Sequence, residues 1–215
     1  EAGTEYIDFT SGIGVNALGY ADPQWAKAVA GQAGAIQHLC NYYYSSQNTG
    51  LAEELCQAAG MAQAFFCNSG AEANECAFKV ARKYGEKRGA STILTLTDSF
   101  HGRTLATLAA TAQPAKQEAF QPLPAGFTAT PINDVEALER LFETQGDRIC
   151  AVMIECIQGE SGVHPCTEEF IGAIRRLTAE HEALMICDEV QSGIFRTGLP
   201  FGFQNFDVLP DIVTM

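Results

Sequence analysis

Four short segments carry residue types that could do chemistry. In Asn68-Ser69-Gly70-Ala71-Glu72-Ala73, a hydroxyl, an amide and a glycine stand at the predicted start of a helix, directly after a predicted strand at Ala64–Cys67. Free N–H groups and the positive end of a helix suit an anion such as phosphate. An ordinary helix cap would use the same residues. In Leu184-Met185-Ile186-Cys187-Asp188-Glu189-Val190-Gln191, two carboxylates follow a buried strand. A magnesium–nucleotide site would need the phosphate loop G-x-x-x-x-G-K-[ST], and no Gly-Lys pair occurs in the sequence. Pairing of Asp188 with a protonated ring nitrogen is the better use, and an exposed loop carboxylate is the plain alternative.

In Ser99-Phe100-His101-Gly102-Arg103-Thr104, an aromatic ring, an imidazole and a guanidinium again follow a predicted strand. A ring can stack and a guanidinium offers a two-pronged fork to a carboxylate. A loop whose arginine pairs with a nearby acid would look the same. The fourth segment, Glu155-Cys156-Ile157-Gln158-Gly159-Glu160-Ser161-Gly162, places two glutamates in a glycine-containing loop, where they could flank a cationic substrate or form a solvated turn. Two superficial motifs fail. Gly12-x-Gly14-x-x-Ala17 lacks an uninterrupted helix because Gly19 and Pro23 follow, and Gly159-Glu160-Ser161-Gly162 lacks the glycine spacing of a nucleophile elbow because residue 163 is Val.

The elements that must position these segments are legible as alternation. Short apolar runs at Ala64–Cys67, Thr92–Leu96, Cys150–Ile154, Leu184–Cys187 and Asp211–Met215 predict strands buried on both faces. Helical spacing of apolar residues spans Ala71–Arg88, Val135–Thr144 and Glu168–Glu182. Strand and helix in alternation predict an α/β fold with a mostly parallel sheet. All four segments then lie at the carboxyl ends of parallel strands, so they should converge on one crevice. Together they describe a site for a phosphorylated aromatic cofactor and an amino-acid substrate.

Residues 1–60 read differently, as an irregular, turn-rich arm with helices at Pro23–Gly34 and Gly50–Ala59 around the tyrosine-rich stretch Asn41–Asn48. Residues 61–215 form the expected large domain. The apolar run at Asp211–Met215 has nothing after it to cover the sheet, so the sequence reads as an incomplete chain. The composition, 47% apolar and 18% charged, supports a real core, and a net charge of −13 argues against nucleic acid or an anionic membrane as partner. The densest basic cluster, Lys79, Arg82, Lys83, Lys87 and Arg88, reads as the solvent face of a helix. Eight cysteines without any C-x-x-C read as reduced thiols of a cytoplasmic protein, and no structural zinc is expected. No leader-like segment and no run of 18 apolar residues occurs, so neither export nor membrane spanning is expected.

The combined series Phe66-Cys67-Asn68-Ser69-Gly70-Ala71-Glu72-Ala73-Asn74-Glu75, Phe100-His101-Gly102-Arg103-Thr104, Ile157-Gln158-Gly159-Glu160 and Asp188-Glu189-Val190-Gln191-Ser192-Gly193 resembles the class III aminotransferases, which use pyridoxal 5'-phosphate. The flanking stretches YIDFTSGIGVNALGY, from Tyr6, and QPAKQEAFQPLPAG, from Gln113, are most similar to members of that family acting on N2-acetylornithine. The resemblance implies a fold type I architecture with helices on both faces of the sheet. It implies that Ser69, Gly70 and Ala71 hold the cofactor phosphate and that Phe100 stacks on its ring. Asp188 would pair with the ring nitrogen and Gln191 with the ring's phenolic oxygen, with Glu189 and Val190 in the same cofactor-binding segment. Arg103 would bind the substrate α-carboxylate and Glu160 would position or gate the substrate. Tyr43 or Tyr44 would border the site of a neighbouring subunit in a homodimer.

The reaction so implied moves the δ-amino group of N2-acetylornithine to 2-oxoglutarate, giving glutamate, in arginine biosynthesis. Succinylornithine, ornithine or 4-aminobutyrate are alternative donors, and a non-catalytic fragment that binds pyridoxal phosphate is the reading from another class. By the resemblance, the Schiff-base lysine belongs just after Met215 and a small C-terminal domain follows it. The five lysines here stand at 27, 79, 83, 87 and 116, so no catalytic residue of that kind is expected within the chain. Cys156 and Gln47 stand where the family commonly has proline.

Overall fold

The computed structural model describes residues 3–215, in two units that divide between Glu54 and Leu55. The first unit opens with an irregular stretch in which Asp8 does the organising. Its carboxylate accepts the N–H groups of Thr10 (2.8 Å) and Ser11 (3.0 Å) and the Tyr20 hydroxyl (2.6 Å). These donors hold its carboxyl well below the usual carboxylate range, the Thr10 hydroxyl bond contributing most. Helix α1, Pro23–Ala33, starts where Asp22 accepts from the Trp25 N–H at 2.8 Å and proline takes the first helical position. Helix α2 covers Ser46–Ala59, starting earlier than the predicted Gly50. The division between units falls inside it rather than after residue 60, because Leu55, Ala58, Ala59 and Met61 pack on the core of the second unit.

The second unit is built on five parallel strands. Helix α3, Gly70–Gly85, precedes β1, Thr92–Leu96; short helices α4, Leu105–Ala110, and α5, Pro114–Gln117, lead to β2, Phe127–Thr130. Helix α6, Val135–Gln145, leads to β3, Ile149–Ile154. A two-stranded ribbon, β4, Ile157–Gln158, and β5, His164–Pro165, then precedes α7, Glu168–Glu180. The chain continues through β6, Leu184–Asp188, and a 3₁₀ turn at Gly202–Asn205 to β7, Ile212–Thr214. The sheet order is β2-β1-β3-β6-β7, with every pairing parallel.

Alternation of side chains along each strand feeds two separate cores. Leu94, Leu96, Val152, Ile154, Met185 and Cys187 face α6 and α7, meeting Leu138, Phe142, Phe170 and Ile174. Ile93, Ala151, Met153 and Ile186 point the other way, toward Ala77, Phe78 and Ala81 of α3. Helices therefore cover both faces, and β3, the middle strand, is buried along its whole length. No described helix is long and apolar enough to cross a membrane.

Two elements differ from expectation. Ala64–Cys67 is not a strand: it pairs with none of the five, and Phe65 and Phe66 are exposed. An apolar run is a strand only when a neighbour completes its ladder of hydrogen bonds. Conversely, β2 was not anticipated; it is four residues long, lies at the sheet edge and is only half-buried, so its sequence, FTAT, carries little apolar signal. Gly126 and Pro131 on either side were the available punctuation.

Candidate functional site

The carboxyl ends of β1, β3 and β6 lie side by side in the sheet, and each releases one of the segments singled out above. The remaining segment, Asn68-Ser69-Gly70-Ala71-Glu72-Ala73, arrives differently, carried by the start of α3. Ser69, extended at φ −158°, caps that helix, its Oγ accepting the Glu72 N–H at 3.2 Å. The first N–H groups of a helix have no partner within it, so those of Gly70 and Ala71 are open to an anion. Gly70 is required by contact: a Cβ there would fall 2.6 and 2.7 Å from the two Val190 methyl carbons. The α3 start and the segment after β6 are therefore pressed together at this point.

Asp188 ends β6 and is buried. Its Oδ2 accepts from Asn74 Nδ2 at 2.8 Å and meets His101 Nδ1 at 2.7 Å, while Oδ1 accepts the Val190 N–H at 3.1 Å. With two acceptor positions per oxygen, one remains on Oδ1. That vacancy fits one protonated ring nitrogen. Asn74 also donates to the His101 carbonyl at 2.8 Å, which ties α3 to the segment after β1. Burial alone would lower the His101 pKa, but the bond and charge of Asp188, with help from Glu155, outweigh it and leave His101 raised. The buried atoms Asn74 Oδ1 and His101 Nε2 have no hydrogen-bond partner.

Glu155, just past β3, is buried too, and burial pushes its carboxyl up to about 7 against the pull of His101 and the Phe100 N–H. Its Oε2 accepts that N–H at 3.0 Å, fixing the backbone that carries the Phe100 ring. Beside the ring lie two cations, the Arg103 guanidinium carbon at 5.3 Å and Lys116 Nζ at 5.1 Å from its centroid. Lys116 forms an ion pair with Glu160, whose Oε2 accepts from Gln113 Nε2 at 3.0 Å. Lys116 and then Gln113 hold the Glu160 carboxyl below the usual range. Gln191 turns its amide against Gly159, where any Cβ would overlap it at 1.7 Å.

Of the expected residues, Ser69, Gly70, Ala71, Phe100, Asp188, Val190, Gln191, Arg103 and Glu160 thus fall in this linked region around the strand ends. Glu189 does not face it. Successive side chains of an extended chain point opposite ways, and Glu189 turns into its own loop, accepting Ser192 Oγ (2.7 Å), the Gly202 N–H (2.7 Å) and the Phe203 N–H (2.8 Å). Burial raises its pKa, offset in part by those donors. In this way its side chain braces the return to β7.

Asn74 and Lys116 were not singled out from sequence. Asn74 had a signal, a polar residue on the same α3 face as Ala77, Phe78 and Ala81. Lys116 had none, because only the tertiary fold brings it to Phe100. All eight cysteines are free; Cys156 and Cys187 sulfurs sit 3.8 Å apart and fully buried, and the bond from Cys156 and burial raise the Cys187 pKa. Among the described residues, no group of three or more His, Cys, Asp or Glu is placed to hold a metal ion.

The family described as Aminotransferase class-III matches residues 1–215. An acetylornithine aminotransferase of Haemophilus ducreyi is 48% identical over 216 residues, covering 99% of this chain and 54% of the relative. The solved N-acetylornithine aminotransferase of Stenotrophomonas maltophilia is 38% identical with a TM-score of 0.81, covering 97% of this chain and 53% of that one. A taurine:2-oxoglutarate aminotransferase of Bifidobacterium kashiwanohense, solved in complex with PLP and glutamate, is 29% identical with a TM-score of 0.88 over 97% of this chain and 51% of its own. The chain spans about half the length of the curated relatives it matches.

Proposed function

The chain belongs to the class III aminotransferases, and from that membership we propose that it serves the transfer of the δ-amino group of N2-acetylornithine to 2-oxoglutarate, with pyridoxal phosphate as cofactor. When bound, pyridoxal phosphate supplies a reactive carbonyl on an electron-withdrawing ring. The residues described here would hold that group and the substrate. Ser69, Gly70 and Ala71 would take the phosphate on open N–H groups and a hydroxyl. Phe100 would lie against the ring and Gln191 would hydrogen-bond its oxygen. Asp188 would keep a proton on the ring nitrogen, Asn74 and His101 fixing its carboxylate for that purpose. Arg103 would take the substrate α-carboxylate, with Glu160 held ready by Lys116.

The observation that carries the cofactor assignment is the buried Asp188 carboxylate, with one acceptor position left, beside the Phe100 segment and the open end of α3. The substrate assignment rests on the name of the H. ducreyi relative at 48% identity. We further propose a cytoplasmic homodimer working in arginine biosynthesis. No lysine follows Lys116 among the 215 residues, so these residues are assigned the cradle and not the proton-shuttling base.

The deciding experiment loads the native protein with pyridoxal phosphate and measures glutamate formed from 2-oxoglutarate and each of N2-acetylornithine, succinylornithine, ornithine and 4-aminobutyrate. Fastest turnover of N2-acetylornithine is expected. Preference for another donor would move the assignment within the family, and no turnover of any of the four donors would overturn it.

A further inference from the structure

Three of the eight thiols gather behind the strand ends. Cys156 and Cys187 are 31 positions apart in sequence, yet their sulfurs stand 3.8 Å from one another with both side chains enclosed. Cys166 adjoins them, its N–H donating to the Cys156 carbonyl at 2.9 Å and its thiol to the Glu155 carbonyl at 3.5 Å. All three belong to the apolar core that holds Ile154, Phe170 and Phe201. In such surroundings a thiol keeps its proton and is shielded from reagents while the fold is closed.

The chain supplies a way in. Cys156 leads into the β4–β5 ribbon and Cys166 leaves it, each strand of the ribbon being two residues long. Its turn carries Val163, 70% exposed. A ribbon this short opens far more readily than the central strands, and Cys156 lies at its root. The pair also touches the site through the backbone, because Cys156 follows Glu155 and Cys187 precedes Asp188. A disulfide needs its sulfurs at about 2.05 Å. Closing the gap from 3.8 Å draws on the backbone at both residues, and Asp188 moves against its bonds from Asn74 and His101.

We propose that Cys156 and Cys187 form an oxidation site for a hydroperoxide, and that the disulfide so made weakens the hold on the cofactor by displacing Asp188. The peroxide O–O bond breaks as the Cys156 sulfur takes one oxygen, giving a sulfenic acid and one water. The Cys187 sulfur then displaces that oxygen, forming the S–S bond and releasing a second water. Both thiol protons leave in the waters, and the peroxide accepts the two electrons that the sulfurs lose. The effect on the cofactor rests on the reading of Asp188 as partner of its ring nitrogen; the disulfide does not.

The test treats the reduced native protein, and its Cys156→Ala and Cys187→Ala variants, with hydrogen peroxide. Free thiols are then blocked and peptides mapped by mass without reduction. A peptide joining Cys156 to Cys187, lighter by two hydrogens, is expected in the wild type alone, and dithiothreitol should remove it. Calorimetry should show the dissociation constant for pyridoxal phosphate rising about tenfold in the treated wild type and staying within about twofold in treated Cys156→Ala, as expected when a partner is shifted by a fraction of the sulfur gap. Absence of the joined peptide under conditions that oxidise the exposed Cys40 would overturn the proposal. So would Cys166 in place of either partner. A joined peptide with unchanged affinity, or equal loss of affinity in wild type and Cys156→Ala, would overturn the link to Asp188. If the reduced wild type binds no pyridoxal phosphate while the joined peptide forms, the cofactor reading falls and the oxidation site stands.

Discussion

At Asp188, what matters is how little freedom the carboxylate has. Asn74 and His101 claim one oxygen and the Val190 N–H part of the other, so its charge is aimed before any ligand arrives. Asp188→Asn keeps the shape and removes the charge. Loss of one preorganised electrostatic partner costs about 10²–10³ in turnover, and that drop is expected in the transamination assay. The same variant should also shift His101. Burial lowers the imidazole pKa and Asp188 is the main influence raising it, so in Asp188→Asn it should fall, as read from the ring nitrogens by NMR. A wild-type His101 titration in the variant would count against the arrangement.

Glu155 gives a pH signature. Its carboxyl titrates at about 7 in the fold against an ordinary 4.5, burial being the cause. Below pH 4.5 it is protonated whether the chain is folded or not, and nothing is lost. Between 4.5 and 7 the unfolded chain gives up the proton first, so stability falls as pH rises, by at most about 3.5 kcal/mol. Glu155→Gln removes this titration while keeping an acceptor for the Phe100 N–H. Urea unfolding from pH 4 to 8 should show wild type losing stability relative to Glu155→Gln across that window. Parallel curves would mean that Glu155 ionises normally.

At the scale of elements, three buried strands deliver three of the four segments, and sequence alone was enough to see this. Apolar runs of Leu, Ile, Val and Met ending abruptly in Asp188, Glu155 or the polar stretch before Phe100 predict strand ends, and each of these three is one. The errors came where a neighbour decides. Ala64–Cys67 has the composition of a strand and no partner, and β2 has a partner and little composition. Asp188 and Glu189 are adjacent carboxylates with the same sequence signal, turned to different partners by an extended backbone. The contact of Gly70 with Val190 is likewise invisible until α3 and β6 are packed.

That contact yields a test of element placement. In Gly70→Ala the new methyl overlaps both Val190 methyl carbons. Overpacking of this kind costs about 1–3 kcal/mol, and because Val190 is half-exposed, part of the relief comes from moving the segment that carries Asp188 and Gln191. Weaker pyridoxal phosphate binding, together with a lowered melting temperature, is expected. Adding Val190→Ala removes the overlapping methyls, so the double variant should recover most of both. Wild-type affinity in Gly70→Ala alone would show that the two elements can part without loss.

For the whole molecule, the telling feature is the surface of the first unit. Its helix α1 contains no buried residue, and Phe9, Tyr42 and Tyr44 are 94%, 93% and 100% exposed, with Tyr6 and Ile7 close behind. Exposed apolar side chains in this number are what an interaction surface would use. The proposed homodimer gives them an occupant, a second copy whose site Tyr43 or Tyr44 would border. Tyrosines at such a surface commonly contribute more than 1 kcal/mol each, so Tyr43→Ala/Tyr44→Ala should weaken self-association at least about tenfold in analytical ultracentrifugation. If these tyrosines also border the neighbouring site, kcat/KM should remain low at concentrations where the variant is still dimeric. Activity that recovers fully with concentration would make them interface residues only. An unchanged dimer with unchanged activity would assign the surface to some other partner.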